Sequence, residues 1–323
     1  EEVLVFVLIT IPLARSLGYD NIVGVAIPFV GAGVGFAGAA FNPFTVGIAQ
    51  QLADVEMFSG FIYRTIVWAF FTVVAIAFVM TYANKLAKKP ELRFLAEGEK
   101  HDLPESVELT GARIAVLVAF FLSLVAIMMG ALYLDWYIGE ISALFIVLGI
   151  VSAVLVRMSV NDAVKGFYQG AKDLLPAALI IGMSKSILVV AEDGKIIDTI
   201  LYGLSGAVGD LPGVVAVQVM FFVQFAINFF IPSGSGQAAI TIPIMAPLAD
   251  LLGITRQTAI LAYQFGDGLC NLVIPTSGVT MGILAIGGIP FSRWIKWVWK
   301  LMLMLVVLAM VFLALPETLF VWN

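Results

Sequence analysis

Runs of about twenty apolar residues leave a chain few folds to choose from. Hydrocarbon offers no partner to a backbone N–H or C=O, so such a run folds as a helix that pairs these groups internally. Ile62–Tyr82, Ile114–Leu134, Ile138–Val156 and Ile295–Leu315 are runs of this kind. Leu174–Ala191 is another, although it carries Lys185. The remainder agrees: 61% of the 323 residues are hydrophobic and 12% charged, against about 25% charged in a water-soluble domain. The mean hydropathy is +1.05. A soluble enzyme and a nucleic-acid binder are both poor fits. A single cysteine, Cys270, excludes a disulfide framework, and His101 belongs to no metal-ligand pattern. No metal or organic cofactor is expected, only a coupling ion, Na+ or H+.

Charge placement orients these spans. Lys85, Lys88, Lys89, Arg93 and Lys100 share one polar linker; Lys165 and Lys172 lie in the loop Arg157–Asp173; Arg293, Lys296 and Lys300 lie in Phe291–Lys300, at the start of the last span. The intervening loops hold Asp54, Glu56, Glu192 and Asp193 but little Lys or Arg. Basic loops stay in the cytoplasm, so the expectation is a multi-pass protein of a bacterial inner membrane. The count of crossings closes if Pro212–Leu252 enters and returns as a re-entrant hairpin, with arms Pro212–Phe230 and Gln237–Leu252.

The sequence repeats itself. Displaced by 235 positions without gaps, Ile9–Ile48 falls on Ile244–Ile283 with eleven of 40 residues identical. Among them are Pro12 on Pro247, Gly18 on Gly253, Gly31 on Gly266, Gly33 on Gly268 and Gly47 on Gly282. Proline and glycine seldom match in register by chance. An odd number of crossings separates the copies, so the expected fold is an all-α polytopic membrane protein with two inverted repeats. Each repeat would hold a re-entrant helical hairpin and a broken transmembrane helix, the arrangement of secondary transporters.

The breaks suggest a binding site. Asn42-Pro43-Phe44-Thr45 has the form of an N-cap, a first-turn proline and a helix restart. Thr276, Ser277 and Thr280 lie at and beside the matching positions of the second copy. A helix restart presents N–H groups that suit a carboxylate, and the preceding helix end presents carbonyls that suit a cation. The tip Ser233-Gly234-Ser235-Gly236 follows the same logic, with Ser235 as the expected cap. Asp267, just before the second break, is an intramembrane carboxylate and hence a candidate for a coupling ion, a proton or a substrate ammonium. Lys185 could pair with Asp267 or hold a substrate carboxylate. Gln224, Asn228, Gln264 and Asn271 could contact substrate or tie helices together.

Several of these segments resemble the YfcC-type branch of the anaerobic dicarboxylate carrier family, in the ion transporter superfamily. They are Ile231-Pro-Ser-Gly-Ser-Gly-Gln-Ala238 with Pro247-Leu-Ala-Asp250, Gly31-Ala-Gly-Val-Gly35 leading to Asn42-Pro-Phe-Thr45, and Gly182…Glu192-Asp-Gly194…Ile197-Asp-Thr199. The resemblance implies an elevator-type carrier, usually a homodimer, with a scaffold domain and a mobile transport domain. It aligns Glu1 and Glu2 with an acidic pair beside the tip of the inward hairpin, and Lys185 stands where many relatives carry arginine. The family name implies dicarboxylates of the succinate and fumarate type, whereas several YfcC-type members are assigned to amino acids such as arginine and ornithine. The acids Asp267, Glu1 and Glu2, set against Lys185 as the one cation, favour the amino-acid class.

The expected organisation assigns 1–58 to the second arm of the inward hairpin and the first broken helix, 59–82 to a transmembrane helix and 83–110 to a cytoplasmic linker. Scaffold helices and an interfacial arm take 111–210, the outward hairpin and second broken helix 211–290, and the final transmembrane helix 291–323. By repeat symmetry, roughly 120 residues are expected ahead of Glu1. A channel would not need inverted broken helices, and a sensor would leave the repeat without a purpose.

Overall fold

The computed structural model describes residues 3–94, 110–134, 136, 138–195, 199, 211–320 and 322. Among the described residues it is helical, without a strand. The helices are α1 (Val3–Ser16), α2 (Asn21–Ala37), α3 (Ile48–Leu52), α4 (Phe61–Lys88), α5 (Gly111–Tyr133), α6 (Ile138–Leu155), α7 (Val160–Asp193), α8 (Gly213–Phe230), α9 (Gly234–Leu251), α10 (Arg256–Cys270), α11 (Gly278–Ile286) and α12 (Phe291–Thr318). A π-helical turn, Pro43–Gly47, leads into α3. Contacts divide the chain into two units, Glu1–Leu103 with Pro176–Asn323, and Pro104–Leu175. In the second unit α5 packs on α6.

Among the described residues α4, α8 and α12 are long and apolar enough to cross a membrane. Their surroundings invert the usual order of a soluble protein. On α4, Ile62, Ile66, Phe70 and Val73 recur at helical spacing and are 45–66% exposed. Meanwhile Arg64, Gln224, Asn228, Gln237, Gln264 and Asp267 are all at most 1% exposed. Apolar outside and polar inside is stable only where the surrounding solvent is hydrocarbon. The chain is a membrane protein.

Two boundaries differ from expectation, each for a local reason. The segment Arg157–Asp173 is helical from Val160 onward. Ser159 starts it as an N-cap: its hydroxyl accepts from the Asp162 N–H at 3.1 Å and donates to the Asp162 carboxylate at 2.6 Å. Helix α4 continues beyond Tyr82 to Lys88, where Lys85 and Lys88 in its last turn complement the negative end of the helix dipole.

The displacement of 235 positions also carries helix ends onto helix ends. Ser16, which closes α1, falls on Leu251, which closes α9; Asn21, which opens α2, falls on Arg256, which opens α10; Pro43 falls on Gly278, which opens α11. Contacts repeat in the same register. A Cβ on Gly33 would lie 2.6 Å from the Leu272 side chain, and one on Gly268 would lie 2.5 Å from the Ala37 backbone. Gly33 is the counterpart of Gly268, and Ala37 of Leu272, so one antiparallel contact is made twice with the roles exchanged. The opening residues behave likewise. Asn21 Nδ2 donates to Gly287 O at 2.9 Å, and Arg256 Nη1 donates to Ala53 O at 2.6 Å. Gly287 and Ala53 are the C-caps of α11 and α3.

Candidate functional site

Helices α8 and α9 are joined by Ile231–Ser233, and buried amides hold them together. Gln237 Nε2 donates to the Gln224 side-chain and backbone oxygens at 2.7 and 2.9 Å. Asn228 Nδ2 reaches Gln237 Oε1 at 2.8 Å and Asp267 Oδ1 at 2.7 Å. The tip is capped by Ser233, whose Oγ accepts from the Gly236 N–H at 3.3 Å. The expected cap, Ser235, is instead exposed in the first turn. Extended backbone at Ser233 (φ −147°, ψ 113°) starts the helix two residues earlier than the Ser-Gly pattern suggested.

Three elements meet at Gly234. A Cβ there would lie 2.8 Å from Thr45 Cγ2, 3.1 Å from Asp267 Oδ2 and 3.1 Å from Phe36 Cζ. Only glycine lets the tip approach so closely. Tyr263, itself buried, fixes the tip by donating its hydroxyl to Gly234 O at 2.6 Å. The carboxylate of Asp267 has two unlike oxygens. Oδ1 accepts from Asn228 at 2.7 Å and from Asn271 at 3.3 Å, whereas Oδ2 is buried without a partner. Thr45 Oγ1 and Thr276 Oγ1 are likewise buried and unpartnered. Buried polar atoms normally find partners, so the unpartnered Oδ2 of Asp267 and Oγ1 of Thr45, on residues that both approach Gly234, are unusual. The start of α9 adds positive potential to the same spot.

The second break is organised locally. Thr280 donates to Asn271 O, Ser277 Oγ accepts from the Thr280 N–H at 3.4 Å, and Trp294 Nε1 donates to Leu272 O at 2.8 Å. At the first break Asn42 Oδ1 accepts from the Phe44 N–H at 2.9 Å, and the Gly47 N–H reaches Asn42 O at 3.0 Å.

Of the residues expected at the site, Thr45, Gly234 and Asp267 come together, with Ser233 and Gly236 closing the turn beside them. Asn42, Ser277 and Thr280 shape the two helix restarts. Pro43 opens the π-helical turn, and its side chain lies outside the described set, as does that of Lys185 on α7. Glu1 and Glu2 lie outside the described residues.

Lys185 is not the only cation within the apolar runs. Arg64, one turn into α4, is fully buried. Its Nη1 donates to Gln264 Oε1 at 2.9 Å and its Nη2 to Gln257 Oε1 at 3.1 Å, and the guanidinium lies 5.1 Å from the centre of the Trp322 ring. Gln264 Nε2 then donates to Phe36 O and Ala39 O, at the first break, at 3.0 and 3.1 Å. Sequence reasoning passed over Arg64 because the run Ile62–Tyr82 was weighed as a whole. The signal was there: Arg64 is the only charged residue in that run.

The model of the family described as "C4-dicarboxylate anaerobic carrier" matches residues 1–317. The chain is 36% identical over 312 residues to YfcC of Escherichia coli strain K12, a protein whose name proposes basic amino acid antiport. It is 30% identical over 329 residues to an uncharacterized protein of Haemophilus influenzae. The alignments cover 92% and 99% of this chain but 62% and 64% of those relatives, so the chain spans about two-thirds of their length or slightly less. The crystal structure of the YdaH transporter of Alcanivorax borkumensis shares the fold, with a TM-score of 0.51 at 15% identity, over 95% of this chain and 73% of that one.

Proposed function

The chain belongs to the C4-dicarboxylate anaerobic carrier family, and on that premise we propose that it works as an elevator-type secondary carrier built from two inverted repeats. Its family is one of transporters, not enzymes. The reciprocal contacts of Gly33 with Leu272 and Gly268 with Ala37 support a pseudo-two-fold axis between α2 and α10. A two-fold axis exchanges the partners of every contact that lies across it. Opposed repeats with matching breaks place a substrate site near the bilayer midplane.

The observation that carries the reading is the meeting of Gly234, Thr45 and the free Oδ2 of Asp267. N–H groups at the start of α9 would receive a substrate carboxylate. Asp267 would receive a positive group, either a substrate ammonium or a coupling ion, Na+ or H+. Among the described residues Arg64 makes no ion pair with Asp267; its hydrogen bonds go to Gln257 and Gln264. The substrate class we favour is therefore an amino acid such as arginine or ornithine, in keeping with the name of the Escherichia coli relative. The family description favours a second reading, a dicarboxylate of the succinate or fumarate type. A homodimer in a bacterial inner membrane completes the proposal.

Counterflow in proteoliposomes distinguishes the two. Liposomes preloaded with arginine or ornithine should accumulate labelled arginine, while preloaded succinate or fumarate should not drive uptake. Accumulation with the dicarboxylates alone would select the second reading. A linear, non-saturating current would exclude a carrier altogether.

A further inference from the structure

Helices α4 and α12 lie against each other antiparallel. The Tyr63 hydroxyl donates to Phe312 O at 2.5 Å near one end, and the Phe78 and Tyr82 rings stand 5.1 and 5.4 Å from Trp297 near the other. The C-terminus of α4 and the N-terminus of α12 therefore share one level. From this level α4 is apolar back through Val79, and α12 is apolar from Leu301 onward. A boundary where two spans lose their apolar character together is the depth of lipid headgroups, and indole and phenol rings favour that depth.

A cavity of about 240 Å³ opens there, lined in part by Tyr82, Lys85, Arg293, Lys296 and Trp297. None of its three cations has an ion-pair partner among the described residues. The nearby carboxylate, Asp20, is already engaged. It accepts from the Tyr82 hydroxyl at 2.7 Å, the Phe94 N–H at 3.0 Å and the Val23 N–H at 3.0 Å. The Trp297 indole N–H is buried without an acceptor. A second hollow on Lys85 is lined by Thr81, Asn84, Lys88 and Lys89. Cations without an ion-pair partner among the described residues, beside an unpartnered N–H donor and at headgroup depth, are complementary to a phosphate.

We infer that the cavity between α4 and α12 binds the phosphate of an anionic phospholipid through Lys85, Arg293 and Lys296. A zwitterionic lipid offers the same phosphate but carries a cation that these residues would repel. The site shares no residue with the Asp267 cluster, so it stands whether or not the transport reading does.

Native mass spectrometry of the full chain in non-ionic detergent tests this. Added phosphatidylglycerol should remain bound under conditions that strip phosphatidylcholine. The triple variant Lys85→Gln, Arg293→Gln, Lys296→Gln should bind phosphatidylglycerol about tenfold more weakly or worse, from the attraction each cation supplies. The charge-keeping pair Lys85→Arg, Lys296→Arg should bind as the parent does. All three side chains are exposed, so the variants should keep the parental size-exclusion profile; were the triple variant to aggregate, Arg293→Gln and Lys296→Gln singly should each weaken retention. Equal retention of the two lipids, or retention unchanged by charge removal, would overturn the inference. Displacement of the lipid by millimolar inorganic phosphate would also overturn it, assigning the cavity to a free anion.

Discussion

The two helix breaks occupy matching positions yet are completed by different means. At the first, the carbonyls Phe36 O and Ala39 O are met by Gln264, which lies in the second copy of the displaced sequence. Gln264 is in turn gripped by Arg64, which lies outside both repeats. At the second, Asn271, Thr280 and Trp294, all close in sequence, meet the carbonyls of Asp267, Asn271 and Leu272. One break thus imports a positive charge through a relay. The other is closed by neutral donors and keeps a carboxylate beside it that no cation neutralises among the described residues. The counterpart of Asp267 in the first copy is Ala32. On the proposed reading, this difference in charge is what suits the second break, and not the first, to a cationic ligand.

This contrast can be broken by substitution, and the largest loss of stability should come from Arg64. Arg64→Met leaves the buried Gln264 Oε1 unmet and Gln257 Oε1 with only the 3.3 Å bond from Gln50 Nε2, at a cost of about 2–3 kcal/mol. Thermal unfolding in detergent should show this, and Arg64→Lys should restore only part, since an ammonium lacks the fork that spans two amides. A parental melting temperature in Arg64→Met would show that the first break needs no imported charge.

The paired glycines give the next effect. Gly268→Ala drives a methyl into the backbone of Ala37, whereas Gly33→Ala meets the Leu272 side chain, which can turn away. Gly268→Ala should cost about 2 kcal/mol and Gly33→Ala about 1 kcal/mol or less. Equal losses would mean that the crossing is more symmetric than the contacts indicate. Smallest is Trp294→Phe, which removes one donor from Leu272 O for about 1 kcal/mol and should leave the first break untouched. Cysteine accessibility at Ala39, unchanged while that at Val273 rises, would show this independence.

What the sequence discloses here is whatever lies along the chain. Apolar runs, Pro and Gly in register, and the polar starts at Asn42 and Ser277 are local signals, and the breaks stand where those signals put them. Asp267 was legible because a carboxylate in an apolar stretch has few bland explanations. The partners of Arg64, Tyr263 and Trp294 were not, because they lie 200, 29 and 22 positions away and only packing brings them together. The tip cap shows a finer limit. Ser233 and Ser235 offer the same hydroxyl beside the same glycines, and only the backbone angles select between them.

The central claim is that Asp267 holds a positive group during transport, and Asp267→Asn tests it most directly. The change removes the charge, nearly keeps the shape, and leaves the Oδ1 contacts with Asn228 and Asn271 able to form. In proteoliposomes, with protein amount and melting behaviour matched to the parent, counterflow should fall about a hundredfold, the scale expected when a buried charge loses its role with a ligand. Its dependence on Na+ or pH should vanish with it. Parental flux with the same ion dependence would make Asp267 a structural residue and contradict the account.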